Sequence, residues 1–383
     1  MSTLFTGISE LRTVSERGTL NDAAIIAQSG TIAWVGPASE APAADEKVDL
    51  GGRAVLPGWV DSHTHMVFDG DRSAEFEARI SGGSYEAGGI AVTMDATRQA
   101  GTDRLDQLVA DRVAAGRRGG TTTFETKTGY GLNTESEVEA AKVASRHVDD
   151  VTFLGAHLVP PGADAEEYLD EVVGPMLEGV APYVQWIDVF CERGAFNEEQ
   201  SRRVLEAGKK LGLGLRVHGN QLGEGPGVAL AVELGAASVD HVNHLTDEDV
   251  ELLANSDTVA TMLPACDLST REPLAPGRTL LDAGATLAIA SNLNPGTSYT
   301  SSMNYCVTTA VLQQHLSVDE AIHAATTGGA TALRRHNVGN GLDPQGRPAK
   351  GTIVEGAAAD LHVLDAPSAV HLAYRPGMPL SYR

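Results

Sequence analysis

Short apolar runs alternate with amphipathic stretches along most of this chain. Eight runs read as strands: Ala54 to His65, Thr121 to Thr126, Val151 to Val159, Val184 to Glu192, Leu213 to Gln221, Ala237 to His244, Thr258 to Pro264 and Thr286 to Asn292. Most are continuously apolar or β-branched rather than alternating, the pattern of parallel strands buried on both faces. Helical patterns lie between them. Asp103 to Arg118 is one, and Glu198 to Leu211 follows Asn197 with Gln200 three residues on. Asp247 to Ala254 follows Thr246, and Val318 to Ala325 follows Ser317 with Glu320 three on. A small polar residue answered three positions later marks a helix N-terminus. Eight such units predict an α/β fold, a (β/α)8 TIM-type barrel. A doubly wound sheet is the alternative, but no Gly-rich dinucleotide turn follows the first strand.

The two ends of the chain read differently. Leu4 to Ile8, Ala23 to Ala27 and Thr31 to Val35 are short β-like runs punctuated by Gly18, Gly30, Gly36 and Pro37, as in small antiparallel strands. Gly351 to Val354 and Ala359 to Leu364 repeat the style. Residues 1–53 and 351–383 are therefore expected to pair into one small β-sandwich domain beside a barrel spanning 54–350. A length of 383 residues suits a barrel of ~250 residues with such an accessory domain. The sequence shows no internal repeat and no low-complexity linker.

Composition narrows the setting. No 18-residue apolar run exists to span a membrane, and the start, Met1 to Thr6, lacks a basic region followed by an apolar stretch. Cys191, Cys266 and Cys306 are far apart and odd in number, which fits reduced thiols in a cytoplasmic protein better than a disulfide framework. The formal net charge is −23, with 51 acidic against 28 basic residues. Nucleic acid and anionic membranes both need a basic surface, so neither is expected as a partner. A small anionic substrate would need a local arginine.

Barrel chemistry sits at the C-terminal ends of the strands, and here those ends are polar. The first ends in His63-Thr64-His65, the second runs into Lys127-Thr128-Gly129-Tyr130-Gly131, and the third ends at His157. The fourth ends at Phe190-Cys191-Glu192 and the fifth at His218-Gly219-Asn220-Gln221. The sixth carries Asp240-His241, and the eighth ends in Ser291-Asn292-Leu293-Asn294-Pro295-Gly296. Residues two apart on a strand point the same way, so His63 and His65 can close on one metal ion. Neutral imidazoles on a metal with one open position are the usual start of a hydrolase site. Five histidines at four strand ends are hard to explain as structural coincidence.

These stretches resemble the amidohydrolase superfamily and, within it, the imidazolonepropionase family of histidine degradation. The resemblance rests on Pro57 to His65, Lys127 to Leu132, Leu154 to His157, Asp188 to Glu192 with Gly194-Ala195-Phe196, His218 to Leu222, Asn294 to Gly296 and His371 to Arg375. It covers nearly the whole chain. His-x-His alone marks the superfamily; Lys-Thr-Gly-Tyr-Gly and Asn-Pro-Gly are more specific.

The resemblance implies one zinc or iron ion, divalent or trivalent, held by His63, His65 and His218 with the strand-8 position as fourth ligand. Two-metal relatives use a modified lysine on strand 4; none stands there, and Lys127 on strand 2 is expected to be structural. The implied reaction opens the cyclic amide of 4-imidazolone-5-propanoate to N-formimino-L-glutamate. It places Arg72 on the propionate and Tyr130 and His157 on the ring and carboxylate. Gln221 would face the imidazolone nitrogens, and Asn294, Gly296 and Thr297 the product, Gly296 through its backbone N–H. His241 matches the histidine that contacts the water or the carbonyl oxygen without binding metal. The family resemblance also suggests a homodimer.

One departure matters. The family's strand-8 aspartate, a ligand and proton acceptor, is Asn292 here. An amide carries no charge and accepts no proton at neutral pH. His241, with Gln221 positioning, could act instead; Asp240 is next in sequence but is expected to point away from His241 along the strand. Replacing Asn292 with Asp is expected to raise activity. A cyclic-amide hydrolase, a non-catalytic metal- and ligand-binding relative, and a deaminase- or dihydroorotase-like member of the superfamily all stay open at this point, with Tyr130 and Arg72 favouring the first.

Overall fold

In the computed structural model, which describes residues 1–82 and 89–382, each of the eight expected strand regions contributes a strand to one sheet, the first of them only in part. The small sheet contains β1 (Ser2–Arg12), β2 (Thr19–Gln28), β3 (Thr31–Pro37) and β4 (Glu46–Pro57). The large one contains β5 (Trp59–Asp61), β6 (Thr121–Lys127), β7 (Asp150–Ala156), β8 (Trp186–Cys191), β9 (Gly214–Gly219), β10 (Ser238–His241), β11 (Val259–Met262) and β12 (Leu287–Ile289). Its strands run parallel in chain order, β5 to β12. The ring closes through the backbone beyond the last strand. The Asn292 N–H bonds the His63 carbonyl at 3.0 Å, and the His65 N–H bonds the Leu293 carbonyl at 2.9 Å. Closure therefore locks the first and eighth strand ends together, where the chemistry was expected.

Helices fill the outer layer, and their starts follow the sequence signals. Asn197 with Gln200, Thr246 with Asp249, and Ser317 with Glu320 each form a reciprocal capping box, satisfying two otherwise orphaned N–H groups apiece. The apolar layer lies between strands and helices. Leu215 and Val217 of β9 face it, while Arg216 and His218 face the barrel interior, as a period of two requires. Among the described residues no helix is long and apolar enough to cross a membrane.

Three local expectations change. The expected first strand, Ala54 to His65, is two strands: β4 stays in the small sheet through Pro57, and β5 begins the barrel at Trp59. Gly58 makes the crossing, where a Cβ would sit 2.1 Å from the Thr122 hydroxyl. The small sheet is mixed rather than antiparallel, since β4 pairs parallel with β1. At the C-terminal end β13 (Leu361–Val363) joins it, beside β4, in the order β13-β4-β1-β2-β3. Gly351 to Val354 forms no strand. Ile353 instead donates its N–H to Thr13 and fills the small sheet's core with Ile8, Leu11 and Ile25.

Candidate metal centre

The barrel interior holds charge where a purely apolar filling is usual. Lys127 Nζ lies 3.1 Å from Glu125 and 2.9 Å from Asp188, and Arg216 Nη2 lies 3.2 Å from Asp240, all fully buried. Burial pushes both aspartates up. For Asp240 the Arg216 charge and the His63 hydrogen bond outweigh it, and for Asp188 the Lys127 charge and the His218 hydrogen bond, so both carboxylates are held below the usual range. Two permanent anions thus sit under the strand ends.

Each anion meets a histidine. His63 Nδ1 is 2.7 Å from Asp240 Oδ2, and His218 Nδ1 is 3.0 Å from Asp188 Oδ2. A carboxylate beside Nδ1 keeps the proton there and leaves Nε2 as a bare lone pair. Burial also depresses the rings, His63 to about 3 and His65 well below its ordinary value, so both are neutral. The Nε2 atoms converge: His65 Nε2 is 3.3 Å from His63 Nε2 and 3.4 Å from His218 Nε2. With the His65 proton on Nδ1, its Nε2 lone pair joins the other two and the three can share a cation. Metal–nitrogen bonds of roughly 2.0–2.1 Å in tetrahedral array put neighbouring nitrogens roughly 3.3–3.4 Å apart. The donor set therefore fits a metal ion.

The remaining expected residues gather around this point. His65, His218, His241, Arg72, Tyr130, His157, Gln221, Asn292, Asn294 and Thr297 line one cavity, with Phe190 and Arg193. His157 stacks on His65 with ring centres 5.7 Å apart, and its Nδ1 bonds the Gly129 carbonyl at 2.8 Å. Burial pushes its pKa down to about 4. The Arg72 fork is held by Glu75, through Nε at 2.8 Å and Nη2 at 2.7 Å. Asn292 lies at φ +51°, a conformation asparagine tolerates, and its Oδ1 is buried with no hydrogen-bond partner among the described residues. Asn292 is also among the residues that line the cavity.

Two expectations need correction. Asp240 does not point away from the site, because it bonds His63. His241 nevertheless lines the cavity, since at φ +88° the backbone leaves strand geometry and alternation ends. A ring nitrogen of His241 lies within 4.8 Å of ring nitrogens of His63 and His218. Gly296 does not offer its N–H to the cavity, because the Asn294 side chain accepts it at 2.9 Å, along with the Thr297 N–H at 2.8 Å. Glycine there instead leaves room for Arg72: a Cβ would fall 2.5 Å from its guanidinium carbon and displace it. Asp188, Asp240, Arg216 and Glu125 had no place in the expected site. Charged residues inside otherwise apolar strands were the available signal. Glu192 was noted as a strand end only; it accepts the Gln221 and Leu222 N–H groups and so fixes the strand-5 loop.

Fold and site define an amidohydrolase-type barrel whose mouth gathers histidines that could hold a metal ion. No family model matches the chain. Curated relatives do: an imidazolonepropionase from Arthrobacter sp. (strain FB24) is 64% identical over 100% of this chain and 98% of its own length. One from Saccharopolyspora erythraea is 63% identical over 100% and 96%, and one from Streptomyces coelicolor 52% over 99% and 96%. The chain belongs to the imidazolonepropionase family. Among solved structures, an adenosine deaminase from Xanthomonas campestris with bound zinc has a TM-score of 0.70 at 19% identity, covering 99% of this chain and 90% of that one. A triazine hydrolase from Arthrobacter aurescens has a TM-score of 0.73 at 19%, covering 99% and 92%. These two likenesses concern the fold alone.

Proposed function

We propose that the chain hydrolyses the cyclic amide of 4-imidazolone-5-propanoate to N-formimino-L-glutamate, with one zinc or iron ion held by His63, His65 and His218. The observation that carries this is the convergence of three imidazole nitrogens at the barrel mouth, in a chain 64% identical to an imidazolonepropionase. When bound, the ion supplies Lewis acidity, acidifying a water and polarising the ring carbonyl. Arg72 receives the propionate. A guanidinium suits a carboxylate and supplies local positive charge on a chain of net charge −23. Tyr130 and His157 hold the ring from one side and Gln221 meets its nitrogens, while Asn294 and Thr297 shape the floor. His241 accepts a proton from the attacking water and returns one to the leaving nitrogen. The Asn292 Oδ1 accepts a hydrogen bond or a weak coordination and takes no proton.

Two measurements test this reading. Metal content of the purified chain is expected at one ion, and ultraviolet absorbance of imidazolone propionate is expected to decay in its presence. A metal-loaded chain that binds this compound and leaves it intact overturns catalysis. That outcome supports the second reading, a non-catalytic binder, which the missing strand-8 carboxylate favours. Asn292→Asp adds an acceptor and is expected to raise kcat; equal turnover removes that position from proton transfer. All three cysteines are buried and free, which fits a reducing cytoplasm, and we place the chain there as a homodimer.

A further inference from the structure

Strand 8 offers an amide where proton handling calls for a carboxylate, and a buried carboxylate stands nearby on another element. The chain leaves β11 through Leu263 into the helix Pro264–Thr270, and Asp267 lies in its first turn. One ligand atom each of Asp267, Cys266 and His241 lies within 4.8 Å of the others, and all three residues are buried. His241 lines the cavity, yet its Nδ1 is buried without a hydrogen-bond partner among the described residues. An imidazole that moves protons with one nitrogen needs the other held. We infer that Asp267 is the positioning residue of His241: its carboxylate receives the Nδ1–H and turns the opposite nitrogen toward the cavity. The seventh strand's end thereby supplies the carboxylate that the eighth lacks. This rests on the hydrolytic reading above.

Two other carboxylates near His241 face different partners. Asp240 Oδ2 bonds His63 and Arg216, and Asp188 Oδ2 faces His218 and Lys127. Cys266 touches Asn292 and Thr297. Burial pushes its thiol up to about 12, so it stays a neutral S–H and is no rival nucleophile. Asp267 itself meets the Asn243 side chain and, at 3.4 Å, the Ala275 N–H; burial pushes it up to about 7, with Glu272 adding to the rise. Separations longer than a hydrogen bond are common for such pairs before substrate arrives and tighten in the complex. The proton balance closes. His241 takes one proton from water as the C–O bond forms and gives one to the ring nitrogen as the C–N bond breaks, and Asp267 gains none.

Nitrogen-15 NMR of histidine-labelled, zinc-loaded protein tests this, with the His241 signals identified by their loss in His241→Gln. The wild type is expected to carry the His241 proton on Nδ1, and Asp267→Asn to move it to Nε2. In the same variant kcat for imidazolone propionate is expected to fall ~10²–10⁴-fold, with KM and zinc content unchanged, and Asp267→Glu to recover part of it. An unprotonated Nδ1 in the wild type overturns the inference, whether or not the variant folds. So does an unchanged kcat in folded Asp267→Asn. A second zinc equivalent that the wild type binds and Asp267→Asn loses also overturns it, making the trio a metal site. If the wild type leaves the substrate intact, the hydrolytic reading falls, while the NMR result still judges the pair.

Discussion

A histidine presents the correct nitrogen to a metal only when something fixes the proton on the other. Asp240 does this for His63 at 2.7 Å and Asp188 for His218 at 3.0 Å, and Arg216 and Lys127 keep those carboxylates charged. His65 has no such partner among the described residues for its Nδ1. Its orientation comes from stacking on His157 and from the backbone bond to Leu293. Asp240→Asn is therefore expected to weaken zinc binding about 10–100-fold while leaving the fold in place. Competition with a chromophoric chelator measures this, with circular dichroism as the control. Unchanged affinity would mean that packing alone orients His63. The pair was hidden in the sequence by strict alternation, which turns Asp240 away from whatever His241 faces. The positive φ at His241 breaks that rule, and no residue type in the stretch Asp240-His241-Val242 announces it.

At the scale of elements, the strand ends were the readable part. Parallel strands buried on both faces leave an apolar signature, and polar residues that interrupt its C-terminal edge stand out. His63, His65, His157, His218 and His241 all reach the cavity or its floor for that reason. Loops obey no such period. The segment after β12 was expected to offer the Gly296 N–H, yet Asn294 closes the loop on itself by accepting both the Gly296 and Thr297 N–H groups, an Asx-type turn. The loop then presses its glycine against Arg72. Gly296→Ala would drive a methyl into the guanidinium, 2.5 Å from its carbon. Moving the fork would weaken the proposed charge-assisted contact to the propionate, by about 1.5–3 kcal/mol. KM is expected to rise at least about tenfold with kcat little changed, and steady-state kinetics would show it. A variant whose kcat falls at constant KM would place the loop's role in the chemical step instead.

Across the whole molecule, the small sheet and the barrel meet on one buried histidine, and this makes their union sensitive to acid. His362 lies on β13, with its ring 5.1 Å from that of Trp59 on β5 and its Nε2 2.8 Å from the Ser381 hydroxyl. Gly120, just before β6, makes room for it; a Cβ there would meet the ring at 2.5 Å. That contact could not be read from the sequence, because pairing between distant chain ends leaves no local pattern. Burial pushes the His362 pKa down to about 3. In the unfolded chain it returns to about 6.5. Between these values the unfolded state binds the extra proton, so stability present above pH ~6.5 is lost as the pH falls toward 3. His63 and His157 act in the same direction, but they do so equally in any variant at position 362. His362→Gln keeps a polar end for Ser381 and removes the titration. The acid limb of its stability curve is expected to be shallower than the wild type's by up to one proton, measured as denaturant midpoints between pH 7 and pH 5 at equal metal load. Parallel limbs would show that His362 takes up its proton in the fold as readily as in the unfolded chain and that acid acts elsewhere.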